Sequence, residues 1–144
     1  FGFSLLILSI LFNNFFTKEI IVNLKVGETY ISENLNINFE KINQKDEKNF
    51  KSITGKFELK YQNGKTEFLE PELRIYNQPN IITSEADIKT NLFRDKFMTI
   101  NYVKNQDFFN VRYQEKPFMI WIWLSVILIG FSGVISLFKI RYEN

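Results

Sequence analysis

Two pairs of carboxylates have types and spacing that could do chemistry. Glu70 and Glu72 flank a proline, and Glu85 and Asp87 stand two residues apart in the same way. Residues two apart on a strand share one face, so either pair could form a shared acid site. The competing interpretation is that these carboxylates lie on a solvated surface or in turns.

The middle of the chain is rich in lysine and has only three arginines, Arg74, Arg94 and Arg112. An arginine binds a carboxylate through a planar, bidentate fork that lysine cannot reproduce. These side chains could therefore bind the carboxylate of a ligand, or they could pair internally with Glu72 or Asp95.

The chain of 144 residues contains no histidine and no cysteine. It therefore has no disulfide framework, no redox dithiol and no Cys/His zinc site, and we predict no metal site. It also lacks the commonest general base and the commonest axial ligand of haem iron. No catalytic residue is evident, so any catalysis would use carboxylates, lysine or tyrosine, or groups from elsewhere.

Charge of both signs is closely mixed, with 18 basic and 16 acidic residues and a net charge of +2. No basic stripe with interleaved aromatic residues is present. We therefore predict no nucleic-acid partner.

Residues 118–138 contain no charged side chain. As a helix they would span roughly 30 Å, the thickness of the bilayer hydrocarbon. Pro117 would occupy the first helical position, and Trp121 and Trp123 would lie in an aromatic belt. We predict a transmembrane helix over 118–138 and a cytoplasmic tail over 139–144. The alternative is a buried helix of a soluble protein.

Residues 1–16 are also uncharged but a little short for a full span. A signal-peptide core is the competing interpretation, but no basic segment or cleavage site accompanies it. We predict the C-terminal part of a transmembrane helix, truncated at its start, so that 17–117 lies on one side of the membrane. The positive-inside rule is nearly balanced between the two sides.

The segment 17–117 has the alternation of β-strands, and the predicted strands cover 20–26, 35–39, 57–61, 73–76, 97–103 and 108–113. Asn63-Gly64 predicts a two-residue hairpin that places Leu59 opposite Phe68. We expect a polar loop over 43–49 and one helical turn over 85–89. Short strands with frequent turns favour a small antiparallel barrel or sandwich, so the predicted fold is an all-β extramembrane domain flanked by two transmembrane helices.

Several stretches in order resemble the C-terminal end of the CcmF family, the cytochrome c haem lyase subunit. They are Val26-Gly27-Glu28, Pro71-Glu72-Leu73-Arg74-Ile75-Tyr76, Thr83-Ser84-Glu85-Ala86-Asp87-Ile88, Leu92-Phe93-Arg94-Asp95, Val111-Arg112-Tyr113 with Lys116-Pro117 and Trp121-Ile122-Trp123, and Lys139-Ile140-Arg141-Tyr142. The order and spacing cover nearly the whole chain.

The resemblance implies a multi-pass protein of the inner membrane, with the β-domain in the periplasm. It implies covalent haem attachment to apocytochrome c, and as partners a haem chaperone, the apocytochrome and other maturation subunits. Haem would be bound by the parent protein through residues upstream of this segment. The residues expected near haem are Arg74, Arg112, Lys116, Trp121 and Trp123. An arginine can bind a haem propionate through its bidentate fork, and the run from Arg112 to Trp123 places cations beside an aromatic belt.

Two other functions stay open. The β-domain could be a membrane-anchored, non-catalytic scaffold or docking module. It could also bind a small apolar ligand, because small barrels can enclose one.

Overall fold

The computed structural model describes the backbone of residues 1–142 and the side chains of residues 1–136. Two helices and ten strands follow one another in the order α1 (Gly2–Phe16), β1 (Lys18–Leu24), β2 (Thr29–Ile31), β3 (Leu35–Asp46), β4 (Phe50–Tyr61), β5 (Thr66–Leu69), β6 (Glu72–Tyr76), β7 (Ile81–Glu85), β8 (Asp87–Thr90), β9 (Arg94–Tyr102), β10 (Phe109–Pro117) and α2 (Met119–Tyr142).

The chain divides into two compact units. The sandwich unit comprises Glu19–Lys89 and Lys96–Gln114. The helical unit comprises Phe1–Lys18, Thr90–Asp95 and the residues from Glu115 onward.

The strands form two sheets. One has the order β1-β10-β9-β8, and the other has the order β2-β3-β4-β6-β7 with β5 also paired to β4. The pairings of the second sheet are antiparallel. Inward-facing residues alternate along the strands of both sheets, as period-two patterning requires.

The core of the sandwich unit comes from both sheets. Ile37, Phe39, Phe57 and Leu59 of the second sheet are fully buried, and so are Met98, Ile100 and Val111 of the first. The predicted all-β antiparallel domain is therefore confirmed, and of the two architectures left open it is the sandwich.

Two phenylalanine rings stack within a mostly aliphatic core. Phe39 and Phe57 stack with their centroids 4.2 Å apart. Gly55 runs directly over this pair, because a Cβ atom there would lie 2.8 Å from the Phe57 ring and 3.2 Å from the Phe39 ring. Phe39 also contacts Phe109 of β10 edge-on at 5.8 Å, so this pair of rings helps to pack the two sheets together.

The register of the β4–β5 hairpin differs from the prediction. Gly64 has φ +77° and donates its N–H to the Tyr61 carbonyl at 3.0 Å, and the Tyr61 N–H bonds to the Lys65 carbonyl. The loop therefore has three residues, with glycine in the left-handed conformation, instead of two. Leu59 faces Glu67, so the predicted pairing of Leu59 with Phe68 is wrong by one residue.

Two local predictions are also wrong. The expected polar loop over 43–49 is mostly strand, since β3 continues to Asp46 and pairs with β4. The expected helical turn over 85–89 is instead the end of β7 and most of β8. Backbone pairing with neighbouring strands outweighs the polar or helix-compatible character of these residues.

Pro117 ends β10 instead of starting the helix, contrary to the prediction. α2 begins at Met119, after Phe118 turns the chain with φ +59°. Of the helices in the described part of the chain, one is long and apolar enough to cross a membrane, with an 18-residue stretch, Met119–Ser136, of mean hydropathy 2.1. α2 runs on to Tyr142, and the side chains of the predicted tail over 139–144 lie outside the described residues.

α1 is a shorter apolar helix of 15 residues that packs antiparallel to α2. Near its start, a Cβ atom on Gly2 would lie 3.0 Å from the Ile129 side chain. Near its end, the Asn13 amide donates to the Pro117 carbonyl at 2.6 Å. Leu5, Leu6 and Ser9 lie on the more buried side of α1, at the spacing of one helix face.

Candidate functional site

A group of rings surrounds the first turn of α2 within the helical unit. We call Phe12, Phe93, Phe118 and Trp121 the aromatic junction. The Phe118 centroid lies 5.4 Å from that of Phe12 and 6.3 Å from that of Phe93, and Phe93 stacks on Trp121 at 6.5 Å. Such offset and edge-on pairs are favourable arrangements of aromatic quadrupoles.

The backbone of the aromatic junction is held by specific hydrogen bonds. Phe118 donates its N–H to the Phe93 carbonyl at 2.9 Å, and the Trp121 indole donates to the Leu92 carbonyl at 3.0 Å. A bulky residue at positive φ costs about 1–2 kcal/mol. These bonds and ring contacts offset that cost at Phe118, where the chain turns from strand to helix.

Three of the residues expected near haem belong to the helical unit. Trp121 is partly buried and engaged with Leu92 and Phe93, whereas Trp123 is 65% exposed. Lys116 is partly buried at the end of β10. Of the two indoles, Trp123 is therefore the one whose surface is open to a partner.

Arg112 lies in the sandwich unit on β10. Its neighbours Val111 and Tyr113 are in the core, so alternation turns Arg112 to the outer face of its sheet. Its Nε donates to the Glu19 carboxylate, which also accepts from the Gln114 amide at 2.7 Å. About half of the Arg112 side chain stays exposed.

Arg74 lies on β6 with its neighbour Leu73 in the core. Its guanidinium holds the Glu72 carboxylate through two hydrogen bonds of 3.1 Å, and Glu72 accepts a further bond from Ser52 at 2.6 Å. The hydrogen bonds from Arg74 and then Ser52 hold the pKa of Glu72 below its usual value. Glu72, one of the two internal partners predicted for the arginines, is thus a partner of Arg74.

Arg74 and Arg112 point away from the core on different sheets, so they lie on opposite outer faces of the sandwich. The structure does not bring them together at one ligand. In the helical unit, Arg94 lies 3.8 Å from Glu115, while Asp95 accepts hydrogen bonds from Thr90 and the Asn91 amide. Burial raises the pKa of Asp95 above its ordinary value.

The two carboxylate pairs of the sequence are rearranged by the fold. Glu72 and Glu85 are direct cross-strand neighbours, and Arg74 lies between them, 3.7 Å from Glu85. Asp87 accepts the Glu70 N–H at 2.7 Å. These carboxylates therefore serve hydrogen bonding and ion pairing within the fold, and neither sequence pair forms an acid site of its own.

A buried charged cluster in the sandwich unit was missed by the sequence analysis. Lys96 Nζ lies 2.6 Å from Glu67 Oε2, and their side chains are 9% and 10% exposed. Lys96 Nζ also lies 4.3 Å from the centre of the Tyr61 ring, and the Tyr61 hydroxyl is 3.0 Å from that of Tyr113. The sequence does contain a pattern that indicates this cluster. Lys96 alternates with Met98 and Ile100, so a lysine lies on the same, inward face of the strand as two apolar residues.

The cluster is charged at neutral pH. Burial alone would raise the pKa of Glu67, but hydrogen bonds from Lys65 and Lys96 outweigh it and the pKa is lowered. Burial would likewise lower the pKa of Lys96, but Glu67 and Tyr61 outweigh it and the pKa is raised. Both groups are thus held away from the pKa range of a general acid or base, which suits a structural role.

A shallow depression lies at one end of the sandwich unit. It has a volume of about 260 Å³ and is lined by residues 31–36 and 60–62. Ligand pockets usually enclose about 300–1,000 Å³ of mostly apolar space. Among the described residues, no group of three or more carboxylates is placed to hold a metal ion.

Comparison with known proteins gives a consistent set of relatives. The family model described as the CcmF C-terminal beta-sandwich matches residues 15–117. The cytochrome c-type biogenesis protein ccl1 of Rhodobacter capsulatus is 30% identical over 120 residues, which are 83% of this chain and 18% of that protein. The cytochrome c-type biogenesis protein CcmF of Pseudomonas fluorescens is 26% identical over 99% of this chain and 22% of its own length.

The solved structure of a cytochrome c heme lyase CcmF has the same fold. Its TM-score is 0.71 at 16% identity, over 93% of this chain and 22% of that one. This chain therefore spans about a fifth of the length of the proteins it matches.

Proposed function

Because this chain belongs to the CcmF C-terminal β-sandwich family, we propose that it is the C-terminal part of a cytochrome c haem lyase subunit. In this proposal it takes part in covalent haem attachment to apocytochrome c. The observation that carries the proposal is the match of the family model to residues 15–117, which include all ten strands. The motifs noted in the sequence support it independently.

The proposed location is the inner membrane, with the sandwich in the periplasm. The uncharged 18-residue stretch of α2 and its low burial, 6%, support a membrane span. α1 carries no charge and packs antiparallel to α2, which supports a second helix in the bilayer. Only Phe118 separates the last strand, which ends at Pro117, from the start of α2 at Met119.

This chain cannot supply histidine or cysteine as an axial ligand of haem iron, because it contains neither. Haem would be ligated by parts of the parent protein outside this segment. The contribution proposed for this segment is a docking face for the apocytochrome, the haem chaperone or other maturation subunits. The residues proposed to lie near haem remain Arg74, Arg112, Lys116, Trp121 and Trp123.

Purification from native membranes tests the proposal. The chain, in its natural context, would be tagged after Asn144 and extracted gently, its absorbance recorded and its co-purifying proteins identified. A b-type haem spectrum, together with a histidine-bearing membrane partner or full-length parent, is expected. A colourless preparation without such a partner would contradict the proposed role in haem attachment.

A non-catalytic scaffold is the second candidate function. It is favoured by the pairing of Arg74 with Glu72 and of Arg112 with Glu19, which directs both guanidinium groups to internal carboxylates. A scaffold would lose partner subunits on purification when its surface is altered, while haem binding by the rest of the parent would persist. Co-purification and haem content, measured on the same variant, separate the two functions.

A further inference from the structure

The turn over residues 91–94 exposes two large apolar side chains. Leu92 is 57% exposed and Phe93 is 56% exposed. Nothing in the proposed function uses them. Both belong to the helical unit, so their surroundings are those of α1 and of the start of α2.

The backbone of this turn is satisfied from within. The Asn91 N–H donates to the Arg94 carbonyl at 3.0 Å and closes the turn. The Leu92 carbonyl accepts from the Trp121 indole at 3.0 Å, and the Phe93 carbonyl accepts from the Phe118 N–H at 2.9 Å. The carbonyls of Leu92, Phe93 and Arg94 thus all accept hydrogen bonds. Non-helical backbone requires such internal partners wherever water is scarce.

The hydrogen bond to Trp121 indicates the depth at which the turn would lie in the bilayer of the proposed function. The apolar stretch Met119–Ser136 has 18 residues. At about 1.5 Å per residue it matches the roughly 30 Å hydrocarbon core, so the first turn of α2 lies at one edge of that core. A hydrogen bond of 3.0 Å to Trp121 holds the Leu92 carbonyl close to the same level.

We infer that the turn over residues 91–94 inserts Leu92 and Phe93 into the interfacial region of the phospholipid bilayer, beside the first turn of α2. Apolar side chains are also exposed on the first turns of α2, where Ile120 and Trp123 are 39% and 65% exposed. Arg94 follows directly and its side chain is 65% exposed, a position from which it can reach lipid phosphates. The turn is then a lipid anchor of the helical unit.

A fluorescent label quenched by brominated lipid tests this inference. The full-length parent, with its other cysteines replaced, would carry Leu92→Cys with an environment-sensitive label and be reconstituted in phosphatidylcholine vesicles. The hydrogen bond that Leu92 makes to Trp121 uses its backbone carbonyl, so the substitution leaves that bond in place. Emission would be compared in vesicles with and without lipid brominated near the top of its acyl chains.

Two matched labels calibrate the result. Val126→Cys lies on α2, where the side chain is 48% exposed, and reports contact with lipid. Asn63→Cys lies in the exposed β4–β5 loop and reports a residue of the sandwich unit. If Val126 is not quenched, the membrane span of the proposed function fails, and that failure is distinct from one at Leu92.

We expect brominated lipid to reduce the emission of the Leu92 label by nearly the same fraction as that of the Val126 label. The reduction should be larger than that of the Asn63 label. Quenching no greater than at Asn63 overturns the inference. So does a blue-shifted Leu92 label that bromolipid does not quench, because a protein partner would then cover the turn. Phe93→Cys repeats the measurement if the Leu92 variant does not elute as the wild-type parent does.

Discussion

At the scale of single residues, the most unusual pair is Lys96 with Glu67, since both occupy inward-facing positions of a sandwich. The attraction between two buried charges is largely offset by the free-energy cost of removing both from water. Removing one partner is nevertheless destabilising, because it leaves the other charge buried and unpaired. Lys65 makes the two partners unequal. Its Nζ lies 2.7 Å from Glu67, so Glu67 has a second cation to pair with when Lys96 is removed.

Glu67→Leu is therefore expected to lower the free energy of unfolding by roughly 3 kcal/mol, because it leaves Lys96 buried without its carboxylate. Lys96→Met should cost less, since Glu67 keeps Lys65. The double variant should return to within about 1 kcal/mol of wild type. Thermal and chemical unfolding in detergent, followed by β-sheet ellipticity, measures this cycle. Additive losses in the double variant would show that the two residues are not coupled.

The same pair predicts a dependence of stability on pH. The folded pKa of Glu67 is below its usual 4.5, so its contribution is present above pH 4.5 and is lost as the pH falls through the folded value. The folded pKa of Lys96 is above its usual 10.5, so its contribution is present below pH 10.5 and is lost as the pH rises through the folded value.

The test compares the unfolding midpoints of wild type and of the Glu67→Leu/Lys96→Met double variant. The difference, wild type minus double variant, should be constant between pH 4.5 and pH 10.5 and should decrease outside that range. The double variant supplies the control, because other titrating groups are common to both proteins. A difference that already changes between about pH 6 and about pH 9 would contradict the assignment of charge to the pair.

Arg112 offers a test of the residues proposed to lie near haem. The Arg112–Glu19 pair is substantially exposed, so Arg112→Ala and Glu19→Ala should each cost less than about 1 kcal/mol of stability. If Arg112 also binds a propionate, only Arg112→Ala should reduce covalently attached haem, measured by haem-stained gels at equal parent abundance. If the Arg112→Ala variant attaches haem at the wild-type level, Arg112 does not bind a haem propionate during attachment.

At the scale of elements, the β4–β5 hairpin illustrates how one turn residue sets a register. The three-residue loop moves Phe68 to the outside, where Lys56 lies 4.6 Å above its ring, and turns Glu67 and Leu69 inward. A two-residue loop would have reversed these sides, because shifting the register by one residue moves every side chain to the other face.

Two glycines of this sheet should respond differently to substitution. Gly64 needs its positive φ but has open space around it, so Gly64→Ala should cost about 1 kcal/mol and Gly64→Asn less, since asparagine tolerates that conformation. Gly55 lacks space, because a Cβ atom there would lie 2.8 Å from the Phe57 ring, so Gly55→Ala should cost roughly 3 kcal/mol. Unfolding midpoints of the four variants, including Gly55→Asn, measure this. Rescue by asparagine at Gly55 would contradict the steric explanation.

The contact of α1 with α2 depends on small residues. Ser9 and Ser125 are buried, and each hydroxyl donates to a carbonyl of its own helix, at 2.8 Å to Leu5 and 2.6 Å to Trp121. Small side chains let membrane helices approach closely, and these serines carry no unsatisfied donor into the contact.

Ser125→Leu should therefore separate the helices and lower the thermal midpoint of the helical unit in detergent, whereas Ser125→Ala should stay near wild type because the lost hydrogen bond is internal to α2. Tryptophan emission from Trp121 and Trp123, in a parent whose other tryptophans are replaced, follows the local change. Equal effects of the two substitutions would argue that the hydroxyl, and not the small volume, is what the contact requires.

At the scale of the whole molecule, the two compact units have opposite distributions of apolar surface. The sandwich unit has a closed apolar core and a charged exterior, as water requires. The helical unit has the reverse pattern, with apolar side chains outside and serines inside, as lipid allows. The relatives that this chain matches are about five times longer, so the proposed function is tested on the full-length parent.

The sequence by itself determined the features that depend on local periodicity or uninterrupted composition. The alternation of Ile37 with Phe39, and of Phe57 with Leu59, predicted strands that the structure confirms, and these four residues are fully buried. The uncharged run after Pro117 predicted the long helix, and ordered motifs predicted the family. The alternation, the uncharged run and each single motif are patterns of consecutive residues, so they can be recognised without knowing which residues meet in the fold.

Only the tertiary structure decided which residues meet across the chain. It determined that Lys96 faces Glu67, that Arg112 pairs with Glu19, and that Arg74 and Arg112 lie on opposite faces. Period-two patterning says that a residue faces inward or outward, but the partner it finds depends on strand order, turn length and sheet packing. Those are properties of the assembled sheets, so no local pattern in the sequence encodes them.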